Sequence, residues 1–245
     1  MKSTTVQTVT QLAFLPRLFP INCYLVEEQD GLTLIDSGMA FCQKGILSAA
    51  SRLGKPIRRI VLTHGHQDHV GALDGLKAAL PDAKVYISAR DSRLLAGDVS
   101  LMSHEPNLPI RGSVPKGIKT KPDILLQDGD MVGSLQAVAA PGHTPGSMAF
   151  LDTRNRILIA GDAFQVRGGA AVSGKLKPLF PFPAMATWSK QEALASARKL
   201  RSLEPSLLAV GHGRMLQQPI PLLDRIIAEA EADTGFLPQT GGKRL

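Results

Sequence analysis

Residues 64–69 read His-Gly-His-Gln-Asp-His, four potential metal ligands in six positions: His64, His66, Asp68 and His69. Imidazoles and carboxylates packed this densely are rarely left without a partner. The residues before them, 58–63, end β-branched and apolar and read as a buried strand. The ligands therefore fall where a strand gives way to its loop, which is where open α/β sheets place their chemistry. In one extended turn, alternate side chains share a side. His64 and His66 can grip one ion while Asp68 and His69 point to a second place close by.

Other apolar runs also end in a ligand type. Residues 136–140 lead through Pro141-Gly142 to His143, 157–160 through Gly161 to Asp162, and 207–210 through Gly211 to His212. Residues 32–35 end in Asp36-Ser37-Gly38. The small residues beside each ligand permit sharp turns and close backbone approach. Five of the six histidines stand at such strand ends, the exception being His104. This placement points to strand ends converging on one metal cluster.

Several elements must position these ends. Residues 8–15, 22–27 and 32–36 read as strands, with a hairpin turn at 28–31. Ile46, Leu47, Ala50 and Leu53 form a helical stripe that Gly54 ends. Val70, Leu73, Leu76, Ala79 and Leu80 form a second, stopped by Pro81. Strands follow at 85–87, 123–127, 131–132, 135–139, 147–152 and 157–160. Ser189 and Glu192 have capping-box form at the head of a further helix, and a last helix covers about 221–232. Two segments lack periodicity, 96–122 and 163–187, and these are expected to flank the metals and select the substrate. Two β-rich halves, each with helices, predict an α/β fold in which two packed sheets carry helices outside, a four-layer αββα sandwich formed as one domain over 1–245.

Composition sets the outer bounds. The chain has 245 residues, enough for a substantial core, with 44% hydrophobic residues but only 4% aromatic, so that core must be aliphatic. Cys23 and Cys42 are too few for a disulfide framework and read as small buried apolar residues. No apolar leader and no run of membrane-spanning length is visible, so a cytoplasmic protein with no membrane partner is expected. The residues 241–245 read as a flexible tail. A formal charge of +7 raises the question of nucleic acid, but the cations are dispersed, and a solvated basic surface is the plainer reading.

Taken in order, these motifs resemble the metallo-β-lactamase superfamily of metallohydrolases: Pro20-Ile21-Asn22-Cys23-Tyr24-Leu25-Val26, Leu34-Ile35-Asp36-Ser37-Gly38, Thr63 through the His cluster to Ala72, Pro141-Gly142-His143-Thr144-Pro145-Gly146-Ser147, Gly161-Asp162 and Gly211-His212-Gly213. The resemblance also implies the αββα fold. It implies that His64, His66 and His143 hold one metal, that Asp68, His69 and His212 hold a second, and that Asp162 bridges them. Five imidazoles and two carboxylates exceed one ion, and a set without thiolate suits two Zn²⁺, with Fe or Mn as alternatives. By family analogy, Asp68 orients a metal-bridging hydroxide and passes its proton to the leaving group. Asp36 either fixes a ligand histidine through its other ring nitrogen or caps the turn at Ser37-Gly38.

Departures narrow the family. Histidine at 66 disfavours the flavodiiron oxygen reductases, which carry Glu there, and Asp162 stands where one group of β-lactamases has Cys. His69 with Asp162 points to dinuclear lactonases, glyoxalase II-type thioesterases and ribonuclease Z-type phosphodiesterases. No Tyr follows Asp162, the C-terminal helical domain of glyoxalase II is not evident, and no tRNA-clasping arm is visible. The leading expectation is a metal-dependent hydrolase acting on a small ester, lactone or related acyl substrate. A nucleic-acid phosphodiesterase, a β-lactam hydrolase, a thioesterase and a non-catalytic metal-binding scaffold are the alternatives. Phe164, Leu179, Phe180, Phe182, Met185 and Trp188 are candidates for an apolar wall, and Lys175 and Lys177 for an anion contact. His104 reads as a surface residue.

Overall fold

The computed structural model describes residues 1–234; the proposed tail at 241–245 lies outside the described residues. Two large sheets dominate. The first holds seven strands in sequence order: β1 (Lys2–Val6), β2 (Val9–Phe14), β3 (Ile21–Glu27), β4 (Leu32–Ile35), β5 (Ile57–Val61), β6 (Lys84–Ser88) and β7 (Ile124–Leu126). β1 to β4 pair antiparallel and β4 to β7 parallel. Helices α1 (Gln43–Leu53), α2 (Gln67–Val70), α3 (Leu73–Ala79) and α4 (Asp91–Leu95) fill its crossovers.

The second sheet is built from β8 (Met131–Val132), β9 (Leu135–Ala139), β10 (Met148–Asp152) and β11 (Ile157–Ile159), then β14 (Leu207–Ala209) and β15 (Leu216–Gln217). A small hairpin, β12 (Phe164–Gln165) with β13 (Ala171–Val172), lies between β11 and β14 in sequence. Helices α5 (Phe182–Ala186), α6 (Lys190–Ser202) and α7 (Ile220–Thr234) are the remaining α-helices among the described residues.

Three apolar cores separate four layers. Ile21, Cys23, Leu25, Leu32 and Leu34 pack with Ile46, Leu73 and Leu76 on the outer side of the first sheet. Tyr24, Val26, Ile35 and Val61 meet Ala137, Phe150, Ile157, Ile159 and Ala209 between the sheets. Ala149, Leu151, Leu158 and Leu208 meet Ala193, Leu194, Leu200 and Leu223 under α6 and α7. Successive residues of β3, β10, β11 and β14 thus enter different cores. A middle-layer strand is buried on both faces, which is why these segments read as unbroken apolar runs. The αββα expectation holds.

Several details differ from the sequence expectation. β1 is polar and largely exposed, and it pairs as an edge strand on β2. The stripe from Val70 to Leu80 is two helices, α2 and α3, because Ser37 donates to the His69 carbonyl and Ala72 to the Gly38 carbonyl, which bends the chain onto the end of β4. Helices α4 and α5 and the β12–β13 hairpin occupy stretches with too few residues for periodicity to register. Among the described residues, no helix is long and apolar enough to cross a membrane.

Candidate metal centre and its pocket

β4 and β5 run parallel, so Asp36 and the loop beginning at Leu62 emerge on one edge. β9 and β11 both run antiparallel to β10, and β14 runs parallel to β11, so His143, Asp162 and His212 also follow strand ends on one edge. The two edges are fastened together there. Met148 N donates to the Thr63 carbonyl, Asn22 Nδ2 to the carbonyls of Val210 and Gly213 (2.7 Å each), and Tyr24 OH to Val210 O (2.6 Å). The Asn22-Cys23-Tyr24 stretch is therefore a seam between the sheets.

The seam brings all seven sequence-derived residues together. Ligand-type atoms of His64, His66 and His143 form one group, those of Asp68, His69 and His212 another, and those of His64, His69 and Asp162 a third, each within 4.8 Å. Asp162 reaches into both ends, with its carboxylate 3.4 Å from His143 Nε2, 3.6 Å from His69 Nε2 and 3.1 Å from His212 Nε2. Asp68 Oδ2 lies 3.4 Å from His212 Nε2 and 3.7 Å from His69 Nε2. The extended backbone ends at His66, and the helical turn of α2 then swings Asp68 and His69 to the second group.

Each imidazole is anchored through its outward nitrogen. His212 Nδ1 donates to Pro20 O (2.7 Å) and His66 Nε2 to Arg111 O (2.8 Å). A carbonyl only accepts, so these bonds fix His212 Nδ1 and His66 Nε2 as protonated nitrogens and aim the other ring nitrogen inward. His69 Nδ1 donates to Asp36 Oδ2 at 2.7 Å. Thr63 gives its hydroxyl proton to Asp36 and accepts from His64 Nδ1 at 3.0 Å. His143 Nδ1 faces the hydroxyls of Ser173 and Thr187. Asp36 thus orients His69 directly and His64 through Thr63, in preference to the turn-capping alternative.

The arrangement fits a cation. His64 Nε2, His69 Nε2 and Asp162 Oδ1 are buried with no hydrogen-bond partner, which is costly for polar atoms unless something else meets them. His66 Nδ1 and His143 Nε2 face one another at 3.0 Å. By the tautomer argument His66 Nδ1 is an acceptor, and if His143 donates outward to a hydroxyl, two lone pairs oppose. The protonation balance agrees. Burial, with neighbouring imidazoles, pushes His64 well down; burial also lowers His143, to about 3. Burial opposes charge on His212 and His69 as well, yet Asp162 and Asp68 raise His212 to about 10, and Asp36, Asp162 and Asp68 hold His69 well above its usual value. The carboxylates thus favour positive charge at these two rings, which protons or a cation can supply.

Asp91 is a structural contributor that the motif reading missed. It is fully buried at the start of α4 and accepts from Gly65 N, Gly146 N (both 2.8 Å) and Thr144 Oγ1 (2.6 Å). One carboxylate therefore ties the loop bearing His64 and His66 to the loop bearing His143. Burial raises its pKa. A lone Asp between a strand and a short helix carries no spacing that would single it out.

The cluster opens into a pocket of about 530 Å³. From 163–187 the lining residues are Phe182, Pro183, Met185 and Ala186; from 96–122 they are Gly112 and Ser113. The other wall comes from stretches not expected to reach the site: Leu15, Phe19 and Ile21, with Met39 and Phe41. Phe19, Phe180 and Phe182 pack mutually at 5.1–5.3 Å between ring centres, and Phe19 stands 5.1 Å from the His212 ring. Phe164, Phe180 and Trp188 are buried outside the lining, and Leu179 is exposed away from it. Lys175 and Lys177 pair with Asp233 and Glu229 on α7, so neither faces the pocket. His104 is exposed. Cys23 and Cys42 are buried free thiols whose pKa values burial raises, for Cys42 to about 11.

Comparison with known proteins agrees with this geometry. YobT of Bacillus subtilis (strain 168), a protein described as uncharacterized, is 57% identical over 94% of this chain and 99% of its own. The probable metallo-hydrolase YflN of the same strain is 30% identical, covering 78% of this chain and 80% of its own. The crystal structure of TTHA1623 in a di-iron-bound form superposes with a TM-score of 0.63 at 27% identity, covering 86% of this chain and 96% of that one. The metallo-beta-lactamase superfamily profile matches residues 16–212. That span takes in strands of both sheets and every residue of the cluster, so the chain belongs to the metallo-β-lactamase superfamily.

Proposed function

We propose that the protein is a dinuclear metal-dependent hydrolase acting on an uncharged ester, lactone or related acyl substrate with an apolar acyl part. One observation carries the substrate class: the pocket around the cluster is walled by Leu15, Phe19, Ile21, Met39, Phe41, Phe182 and Met185, and among the described residues no Lys or Arg lines it. A β-lactam carboxylate, a glutathione thioester or a phosphodiester would meet no side-chain cation there. An apolar acyl chain would bury its surface against the aromatic and aliphatic walls, at about 0.8 kcal/mol per methylene.

In this reading, His64, His66 and His143 would hold one divalent ion and Asp68, His69 and His212 a second, with Asp162 within reach of both groups. The nitrogen and oxygen donors suit Zn²⁺, and also Fe or Mn. When bound, such ions would supply a water acidified toward neutrality and an electrophile for the acyl oxygen. The chain's own residues do the rest. Asp36, Thr63, Pro20 and Arg111 hold the imidazoles in orientation. Asp68, the cluster carboxylate most open to the pocket, takes a proton from the attacking water and delivers it to the leaving oxygen as the acyl C–O bond breaks. The apolar walls limit water at the reacting carbon.

The test is hydrolysis of aryl esters and lactones of increasing acyl length by protein of measured metal content. Efficiency should rise with chain length, and Asp162→Ala and His143→Ala should lose metal and hydrolysis together. Faster turnover of a glutathione thioester or a dinucleotide than of any neutral ester would overturn the substrate class. Full activity with full metal content in either variant would overturn the site.

A further inference from the structure

The cations missing from the pocket gather elsewhere. Much of the charged surface is paired: Lys55 with Glu27, Arg59 with Asp30, Arg154 with Asp152 and Arg201 with Asp224. Lys2, Arg167 and Arg214 form no ion pair with a described carboxylate. They line one groove of about 560 Å³ in which, among the described residues, no Asp or Glu takes part. Thr4, Gln11 and Gln217 add neutral polar groups. The groove lies where β1 and β2 of one sheet approach the β14–β15 turn of the other. Gln11 Nε2 donates to Gly213 O across it at 2.8 Å, and Arg167 donates to the Arg17 carbonyl, so this wall is fixed in place. The His212 loop separates groove from pocket: Pro20 and Gly213 line the groove, and His212 lines the pocket.

We propose that this groove binds a small phosphorylated molecule at a site distinct from the metal centre. Arginine forks with lysine beside them match the several oxygens of a phosphoryl group, and the volume falls in the range of small-molecule sites. A single-stranded nucleic acid is the weaker fit, because among the described residues no aromatic side chain lines the groove for a base to stack on. The proposal does not depend on the hydrolytic reading of the pocket.

The experiment titrates adenosine 5′-monophosphate into the metal-loaded, ¹⁵N-labelled protein. The amides of Gly168, Gly213 and Arg214 should shift, while those of Gly112 and Ser113 at the metal pocket stay in place. Adenosine without phosphate should leave the groove amides unmoved. Lys2→Gln/Arg214→Gln alters two exposed side chains and should weaken binding at least about tenfold, the loss expected for removing charge-assisted contacts. Arg167→Gln should weaken it independently. Shifts confined to Gly112 and Ser113 would assign binding to the metal centre and overturn the proposal. So would unchanged affinity in both variants, equal binding of adenosine, or an RNA oligonucleotide binding far more tightly than the nucleotide.

Discussion

Asp162 and Asp68 sit among imidazoles that must be neutral to accept a metal, yet the same carboxylates keep two of those rings protonated without one. The sign follows from the shifts. His212, raised to about 10, and His69, raised well above its ordinary value, both carry protons at neutral pH. His64 and His143, lowered by burial, are already neutral and release none. Metal uptake at pH 7 should therefore expel about two protons from the protein, and apparent affinity should rise as pH climbs towards 10. Titration calorimetry of Zn²⁺ into chelator-treated protein, in buffers of differing ionisation enthalpy, counts the protons. A count near zero would mean that His69 and His212 are not displaced. At this scale much was legible in the chain itself, because four potential ligands within six residues have few structural uses besides metal binding. Asp91 was not, because its value lies in three donors from distant segments.

Among the elements, β-strands with both faces buried announced themselves as apolar runs, and the strand-end ligands followed from them. Harder to read were the stretches 15–21 and 39–41. They supply the second wall of the pocket by virtue of sheet order, since β2, β3 and β4 are neighbours whose connections reach the same edge as β5. The 96–122 segment makes its contribution through backbone. Gly112 has φ +86°, and a Cβ there would land on the His66 ring; Gly117 has φ +93° and open space around it. Alanine strains the backbone similarly at both, by about 1 kcal/mol. Only at 112 should it also displace His66 from the Arg111 carbonyl. Gly112→Ala should lose much of its bound metal by elemental analysis, with Gly117→Ala retaining it. Equal retention in the two would show that the loop does not hold His66 in place.

At the level of the whole molecule, the candidate centre draws its residues from both sheets. His64, His66, Asp68 and His69 come from the first sheet, and His143, Asp162 and His212 from the second. Ions held between them would act as cross-links that the unfolded chain lacks. A ligand present at a thousandfold its Kd adds about 4 kcal/mol by mass action. For a chain of this length that corresponds to a Tm increase of roughly 8–16 °C. The sheets also share the apolar core around Phe150 and the seam made by Asn22, Tyr24 and the Thr63–Met148 bond. These contacts need no metal, so the stripped protein should remain folded. Differential scanning calorimetry should show one cooperative transition that moves down on chelation and returns on adding Zn²⁺. His143→Ala should recover less of the shift, because one ion would then lose its ligand from the second sheet. A Tm indifferent to chelator would remove the cross-linking role, and a chain unfolded at 25 °C without metal would show that the seam cannot hold the sheets together alone.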